Sequence, residues 1–286
     1  MKSQVIYSTA AVQIVTQPFL VGAELEALAL SSSQDFARAL PAELPADAVS
    51  LEILNGGHYY FVASAVETAL GRPCPVSTVR AKRRQEADGT WRVDVWDKGG
   101  ADITKCSCVL IGDTIATGTT LMGTIRQLLE ERSELGLPFP DFHIFCIAGS
   151  SAVCDVAGIN EIDASLAAQG KSMTLYFANA KYNMADNGTD LGFVGAEYNA
   201  QAEREINAKL DSFAGHMRCC VWDWGDRFRE IRSHLTEIRH FYGANAECPG
   251  WLLEGIDTRL SSLPLASPRL AVPPAAPVAD DARETD

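Results

Sequence analysis

One uninterrupted string constrains this chain more than any other: Val109-Leu110-Ile111-Gly112-Asp113-Thr114-Ile115-Ala116-Thr117-Gly118-Thr119-Thr120-Leu121. Three branched apolar residues in a row read as a strand buried on both faces, the kind found in parallel sheets covered by helices. An acid follows, then a Thr/Gly turn, and residues from about 120 to 132 carry helical spacing. A helix start of this kind presents unpaired backbone amides and the positive end of the helix dipole, which together make an anion cradle. Gly118 lets the backbone approach a ligand closely, and Thr117, Thr119 and Thr120 each offer a hydroxyl. In open α/β sheets, ligands bind beyond the carboxyl ends of strands, where this loop would sit. A plain N-capped helix, with Asp113 as a turn residue, accounts for any one of these features; the whole string is more specific than its parts. No Gly-Lys-Ser/Thr follows and no Gly-x-Gly-x-x-Gly is present, so it is neither a Walker loop nor a dinucleotide fingerprint.

The rest of the chain alternates strand and helix patterns, which predicts an α/β fold with a mostly parallel central sheet flanked by helices. Residues 4–15 predict a first strand, and Ser31-Ser32-Ser33 predicts N-caps for a short helix over residues 35–40. Residues 49–54 read as a strand stopping at Asn55-Gly56-Gly57, and 60–70 as a helix closed by Gly71. A strand from 76 leads into a hairpin turning at Asp88-Gly89 and returning over 91–96. Further strands are predicted at 108–111, 142–148 and 173–177, and helices at 199–213 and 228–242. The expected organisation is a strand/helix segment packing on core or hood (1–47), a core with hood (48–195), a helical extension (196–262) and a disordered Pro/Ala-rich acidic tail (263–286).

Composition narrows the function classes. With 47% hydrophobic and 21% charged residues the chain has the make-up of a soluble protein. No apolar run nears the ~20 residues of a membrane span. The start, broken by Ser8, Thr9, Gln13 and Thr16, is a poor signal peptide. A cytoplasmic protein without a membrane partner is expected. Most of the eight cysteines lie in apolar runs and read as buried thiols. Cys106-Ser107-Cys108 and Cys219-Cys220 lack zinc-knuckle spacing, and a reducing compartment disfavours disulfides. The net charge of −13 argues against a nucleic-acid partner. The single dense basic cluster, Arg80-Ala81-Lys82-Arg83-Arg84, is too short for a duplex but suits a small polyanion.

The 109–121 string resembles the signature of type I phosphoribosyltransferases: two branched apolar residues, two acids, two apolar residues, then Ala-Thr-Gly-x-Thr. It matches at Asp113 and from Ala116 to Thr120, and departs at Gly112, usually the first acid, and at Thr114, usually aliphatic. The resemblance implies that Ala116, Thr117, Gly118, Thr119 and Thr120 bind the 5-phosphate of phosphoribosyl diphosphate (PRPP), with Asp113 as a catalytic residue on the ribose. Ile53-Leu54-Asn55-Gly56-Gly57 is similar to the family's diphosphate loop, which implies diphosphate contacts at Asn55, Gly56 and Gly57 and a strained peptide before Gly56. Read alone, it is a strand-to-helix turn.

In that family a mobile loop folds over the reaction centre between these two positions, where Arg80, Lys82, Arg83 and Arg84 stand. The resemblance implies Lys82 and Arg83 as catalytic cations neutralising the departing diphosphate, with Arg80 and Arg84 holding it, while closure excludes water. The alternative is a solvated cluster on an edge hairpin. The order of elements after the fifth core strand resembles uracil phosphoribosyltransferases, implying a hood in which Asp190, Gly192 and Phe193 bind the acceptor; a surface turn is the alternative for Asp190. The Pro-Gly-Leu-Gly-Asp run of the uracil enzymes is absent, so uracil specificity does not carry over. Trp222 and Trp224 either stack an aromatic acceptor or pack a helix entry, with Asp226 as cap and Arg227 paired nearby.

The implied activity is phosphoribosyl transfer from PRPP to a nitrogen acceptor, a pyrimidine or related heterocycle, with release of diphosphate. Mg²⁺ is expected to accompany the diphosphate, with its protein ligands unassigned, and the protein is expected to be a homo-oligomer with small-molecule partners. The rival reading is a non-catalytic PRPP- or nucleotide-sensing regulator of the same fold, which Gly112 favours.

Overall fold

A computed structural model of the chain describes residues 1–54, 56–89, 91–186, 190–218 and 224–264. The apolar string forms β5 (Cys108–Gly112), and all five of its residues are buried. Side-chain alternation explains this: Cys108 and Leu110 join an apolar cluster on one face of the sheet, while Val109 and Ile111 join a second cluster on the other. Helices α1 (Thr9–Thr16), α2 (Gly22–Ala39) and α3 (Val62–Leu70) contribute to the first cluster. Helices α4 (Thr119–Glu134) and α5 (Ala157–Ala167) contribute to the second.

Around β5 lie β1 (Lys2–Ile6), β2 (Val49–Leu54), β3 (Val76–Gln85), β4 (Trp91–Gly100), β6 (Asp141–Cys146) and β8 (Met173–Ala178), in the order β1-β8-β6-β5-β2-β3-β4. Every neighbouring pair is parallel except β3 with β4. The mostly parallel sheet with helices on both faces is the expected architecture. A small second sheet, β7 (Gly149–Ser150), β9 (Ala180–Met184) and β10 (Leu191–Tyr198), rises from the carboxyl ends of β6 and β8.

Local expectations changed where tertiary contacts override propensity. The first strand stops at Ile6, and residues 9–16 are helical because Ala10, Ala11, Ile14 and Val15 bury one stripe. Ser8 is the N-cap, its hydroxyl accepting from the Ala11 amide at 3.3 Å. The serine triplet begins no helix. Ser32 and Ser33 lie fully buried inside α2, where Ser33 donates to the Tyr60 carbonyl and Ser8 donates to Ser32 at 3.2 Å. Buried partners for the hydroxyls remove the reason to cap.

The C-terminal helices are α6 (Ala200–Leu210), α7 (Asp226–Arg229), α8 (Ile231–Gly243) and α9 (Gly250–Ser262). Their apolar residues, including Leu235, Ile238, Leu252 and Ile256, belong to the same cluster as α1, α2 and α3. Arg227, with no exposed surface, joins them to the N-terminus by donating to the carbonyls of Ile14 (3.2 Å), Gln17 (3.1 Å) and Leu20 (2.8 Å). Among the described residues no helix is long and apolar enough to cross a membrane.

Candidate anion-binding site

Strand order places the site. From β2 the chain runs outward to β3 and β4, then returns across β2 to β5 and runs outward the other way to β6 and β8. The crevice at the carboxyl ends of β2 and β5 is therefore a topological switch point, where such sheets bind ligands. Two turns open there. One follows β5 over residues 112–120, and the other follows β2, with Gly57–Tyr60 forming a 3-10 turn before α3. They touch: a Cβ on Gly57 would stand 3.2 Å from the Gly112 carbonyl oxygen.

The turn after β5 is anchored at its sides and open at its centre. The Asp113 amide donates to the Phe145 carbonyl at 3.0 Å, Ile115 donates to Ala148 at 3.3 Å, and Ser150 donates to the Ile115 carbonyl at 2.8 Å. Gly118 takes φ +73°, and a Cβ there would fall 2.9 Å from Val153 Cγ2, so backbone strain and space both demand glycine. Thr117 and Thr119 share a hydroxyl contact of 3.0 Å. Among the described residues the amides of Ala116, Thr117, Gly118 and Thr120 donate to no backbone carbonyl outside α4. Their residues line a cavity of about 100 Å³ together with Arg83 and Asp113. That is roughly three water volumes, the scale of one phosphoryl group.

Asp113 is partly exposed at its rim yet enclosed by protein atoms. Burial pushes its carboxyl up from 3.8 to about 7, against the hydrogen bond from the Thr114 amide (2.8 Å) that favours ionisation. Gly112 has a steric cause. A Cβ there would lie 2.4 Å from Cβ and 2.6 Å from Cγ of Tyr60, so the Tyr60 ring fills the space of an acidic side chain. Tyr60 is fully buried, and its hydroxyl meets Thr114 Oγ1 at 2.8 Å. Sequence reading missed Tyr60 as the neighbour that packs beneath the loop; the glycine at 112 was the signal, since an absent side chain leaves room for a bulky neighbour.

The expected site residues divide. Beside the loop stand Arg83 and Asp113, with Gly57 at the junction of the two turns. Gly57 is buried against Gly112, while Gly56 is the partly exposed member of its turn; Asn55, and with it the peptide before Gly56, lies outside the described residues. Strand alternation separates the four cations. Arg83 pairs in register with Val93 on the face that meets the loop, 5.9 Å above the Trp91 ring. Arg80, Lys82 and Arg84 register with Trp96, Asp94 and Arg92 on the opposite face, and Arg84 pairs with Glu86 at 3.1 Å and Asp94 at 3.5 Å. Beyond Arg80, the last residue registered with β2, the hairpin projects past the sheet as a two-stranded ribbon.

The hood residues sit elsewhere. Asp190 pairs with Arg218 at 3.2 Å, and Gly192 bridges to Arg218. Both line an open cleft of about 790 Å³ with Met217, Arg218 and Phe241, and no loop residue lines it. The Phe193 side chain is core, edge-on to Tyr182 at 5.5 Å. Trp222 lies outside the described residues. Trp224 is buried against Tyr60 and Phe228, and Asp226 pairs with Arg229 at 3.8 Å while Gly225 holds the N-cap position.

For a divalent cation the loop offers one carboxylate, Asp113, because Tyr60 occupies the place of a second. Among the described residues no three His, Cys, Asp or Glu side chains converge on a metal position. Mg²⁺ is commonly held by one or two carboxylates plus phosphate oxygens. One carboxylate fits an ion whose remaining ligands are phosphate oxygens or water.

No protein-family model matches the chain, and no curated protein matches it. Among solved structures it is similar to purine phosphoribosyltransferase from Pyrococcus horikoshii, 17% identical over 51% of this chain and 81% of that one, with a TM-score of 0.34. It is also similar to adenine phosphoribosyltransferase from Leishmania donovani, 12% identical over 62% and 84%, with a TM-score of 0.39. A hypothetical protein from Neisseria gonorrhoeae with bound ppGpp is similar at 16% identity over 52% and 73%, with a TM-score of 0.30.

Proposed function

We propose that the chain binds PRPP and transfers its phosphoribosyl group to a nitrogen heterocycle, a pyrimidine or a relative, releasing diphosphate. The observation that carries this reading is the cavity lined by the turn at residues 116–120, set at the switch point of the sheet with Arg83 and Asp113 on the same cavity. The amides and the Thr117, Thr119 and Thr120 hydroxyls hold the 5-phosphate. Asp113, once ionised, accepts from the ribose hydroxyls and fixes the sugar. Gly56 presents its main chain to the diphosphate. As the bond from the sugar carbon to diphosphate oxygen breaks, the electron pair leaves on diphosphate, the acceptor nitrogen forms the new bond, and its proton passes to solvent. Arg83 stabilises the charge that grows on the leaving oxygens. Mg²⁺, when bound with the diphosphate, would screen the same charge. Cytoplasmic action as a homo-oligomer belongs to the same proposal.

The packing of Tyr60 against Gly112 favours one rival, a sensor that binds PRPP or a nucleotide without turnover, because the site has one carboxylate instead of two. Two measurements separate the readings. Ribose 5-phosphate or PRPP at 100 times its dissociation constant raises stability by about 2.7 kcal/mol, visible as a thermal shift. Diphosphate release is then assayed over a panel of pyrimidines and purines. Binding with release supports the transferase, binding without release supports the sensor, and no shift with either ligand removes both.

A further inference from the structure

We propose that Trp224 donates its indole N–H to a phosphate-bearing ligand seated at the Gly56 turn, which makes the C-terminal segment part of the binding site. The inference rests on the PRPP reading above and adds a residue that reading does not use. Trp224 is 4% exposed, and its Nε1 is buried with no hydrogen-bond partner among the described residues. Indole is a donor only, so the missing partner must be an acceptor. The atom nearest to a Cβ built on Gly56 is Trp224 Cδ1, at 3.9 Å. Since Cδ1 is bonded to Nε1, the pyrrole edge is the one turned toward Gly56.

The ring is held in that orientation. Tyr60 lies 5.4 Å away at 52° and Phe228 5.2 Å away at 79°, while Phe228 stacks on Tyr59 at 4.2 Å with planes 5° apart. Arg227, next to Phe228, is pinned by three N-terminal carbonyls. A buried donor left unpaired beside a glycine turn is costly. An anionic oxygen reaching that turn would supply the acceptor and make the bond charge-assisted. Glycine at 56 leaves the path clear, because any side chain there would stand between the main chain and the indole edge. Tyr60, touching both Trp224 and Gly112, would then join the diphosphate end of the ligand to the sugar end.

The test uses the full chain with inorganic diphosphate plus Mg²⁺, and separately ribose 5-phosphate. Trp224→Phe should weaken diphosphate binding about tenfold and leave ribose 5-phosphate affinity within about twofold. In the wild type, the Trp224 indole N–H resonance, assigned through contacts to Tyr60 and Phe228, should move on adding diphosphate and stay still with ribose 5-phosphate. That second measurement stands even if the variant folds poorly. A resonance unmoved by diphosphate, unchanged diphosphate affinity in the variant, or equal loss for both ligands would overturn the role of Trp224 while leaving the 116–120 cradle in place. A wild type that binds neither ligand would overturn the cradle and this inference together.

Discussion

The turn after β5 and the turn after β2 leave adjacent parallel strands and meet at one crevice, yet they draw on different parts of the chain. The first is nearly self-sufficient: strand, acid, Thr/Gly turn and helix start occupy one contiguous string, and its open amides follow from the helix geometry itself. The second is assembled. Gly56 faces Trp224 and Gly57 faces Gly112, Tyr60 packs against both Trp224 and Gly112, and Trp224 lies beside Arg227, which grips carbonyls of residues 14, 17 and 20. A contiguous anion site survives changes elsewhere in the fold, whereas an assembled one is only as firm as its most distant support.

Arg227→Ala strikes that support. It strands buried carbonyls that had a charged donor, and the expected loss is about 4 kcal/mol. That corresponds to a melting temperature lower by on the order of 10 °C. Calorimetry checks it, and ribose 5-phosphate affinity measured well below the transition should persist. A drop of only a degree or two would mean that the assembled turn does not depend on this clamp.

Gly112→Asp strikes the junction of the two turns. The new Cβ would overlap the Tyr60 ring, costing about 3 kcal/mol by overpacking. Pairing it with Tyr60→Ala should recover part of that loss in a double-mutant cycle. Additive losses would show that the two positions are not interlocked.

The cations sharpen the contrast between faces of one strand. Arg83→Ala should weaken PRPP binding about tenfold, the size of one charge-assisted contact, whereas Lys82→Ala should change it by less than about twofold. Titration of both variants with PRPP decides it, and equal effects would return Lys82 to the site.

A pH effect is confined to the contiguous loop and to one window of pH. The Asp113 carboxyl, raised by burial from 3.8 to about 7, keeps a proton in the folded chain that the unfolded chain has already released. Its contribution to stability is full below pH ~4 and is lost as the pH climbs to ~7. Asp113→Asn should therefore flatten this part of the melting-temperature profile, with its advantage over wild type growing from pH ~4 to ~7 and constant above. Parallel profiles would show that Asp113 does not titrate in that window.

Much of the contiguous loop was readable before any coordinates. Val109-Leu110-Ile111 predicted a doubly buried strand, and Gly118 between threonines predicted an open helix start. The strand/helix alternation predicted a mostly parallel sheet. The serines at 31–33 misled because capping preference is local and their buried partners, Ser8 and the Tyr60 carbonyl, are not. The basic run at 80–84 read as one cluster, since counting charge along a chain ignores that a strand turns alternate residues to opposite faces. The Phe193 side chain packs in the core while its backbone lies in β10, because burial is set by what lies across from a residue.

Amino-acid order was enough to specify an open helix start beyond a buried strand, since amides at a helix start, glycine at positive φ and hydroxyl side chains act over a few neighbouring residues. It was not enough to specify what surrounds that turn. The ring filling the space beside Gly112, the indole edge facing Gly56 and Arg83 reaching the loop all arise from packing between residues far apart in the chain, where excluded volume, not local conformational preference, selects the arrangement.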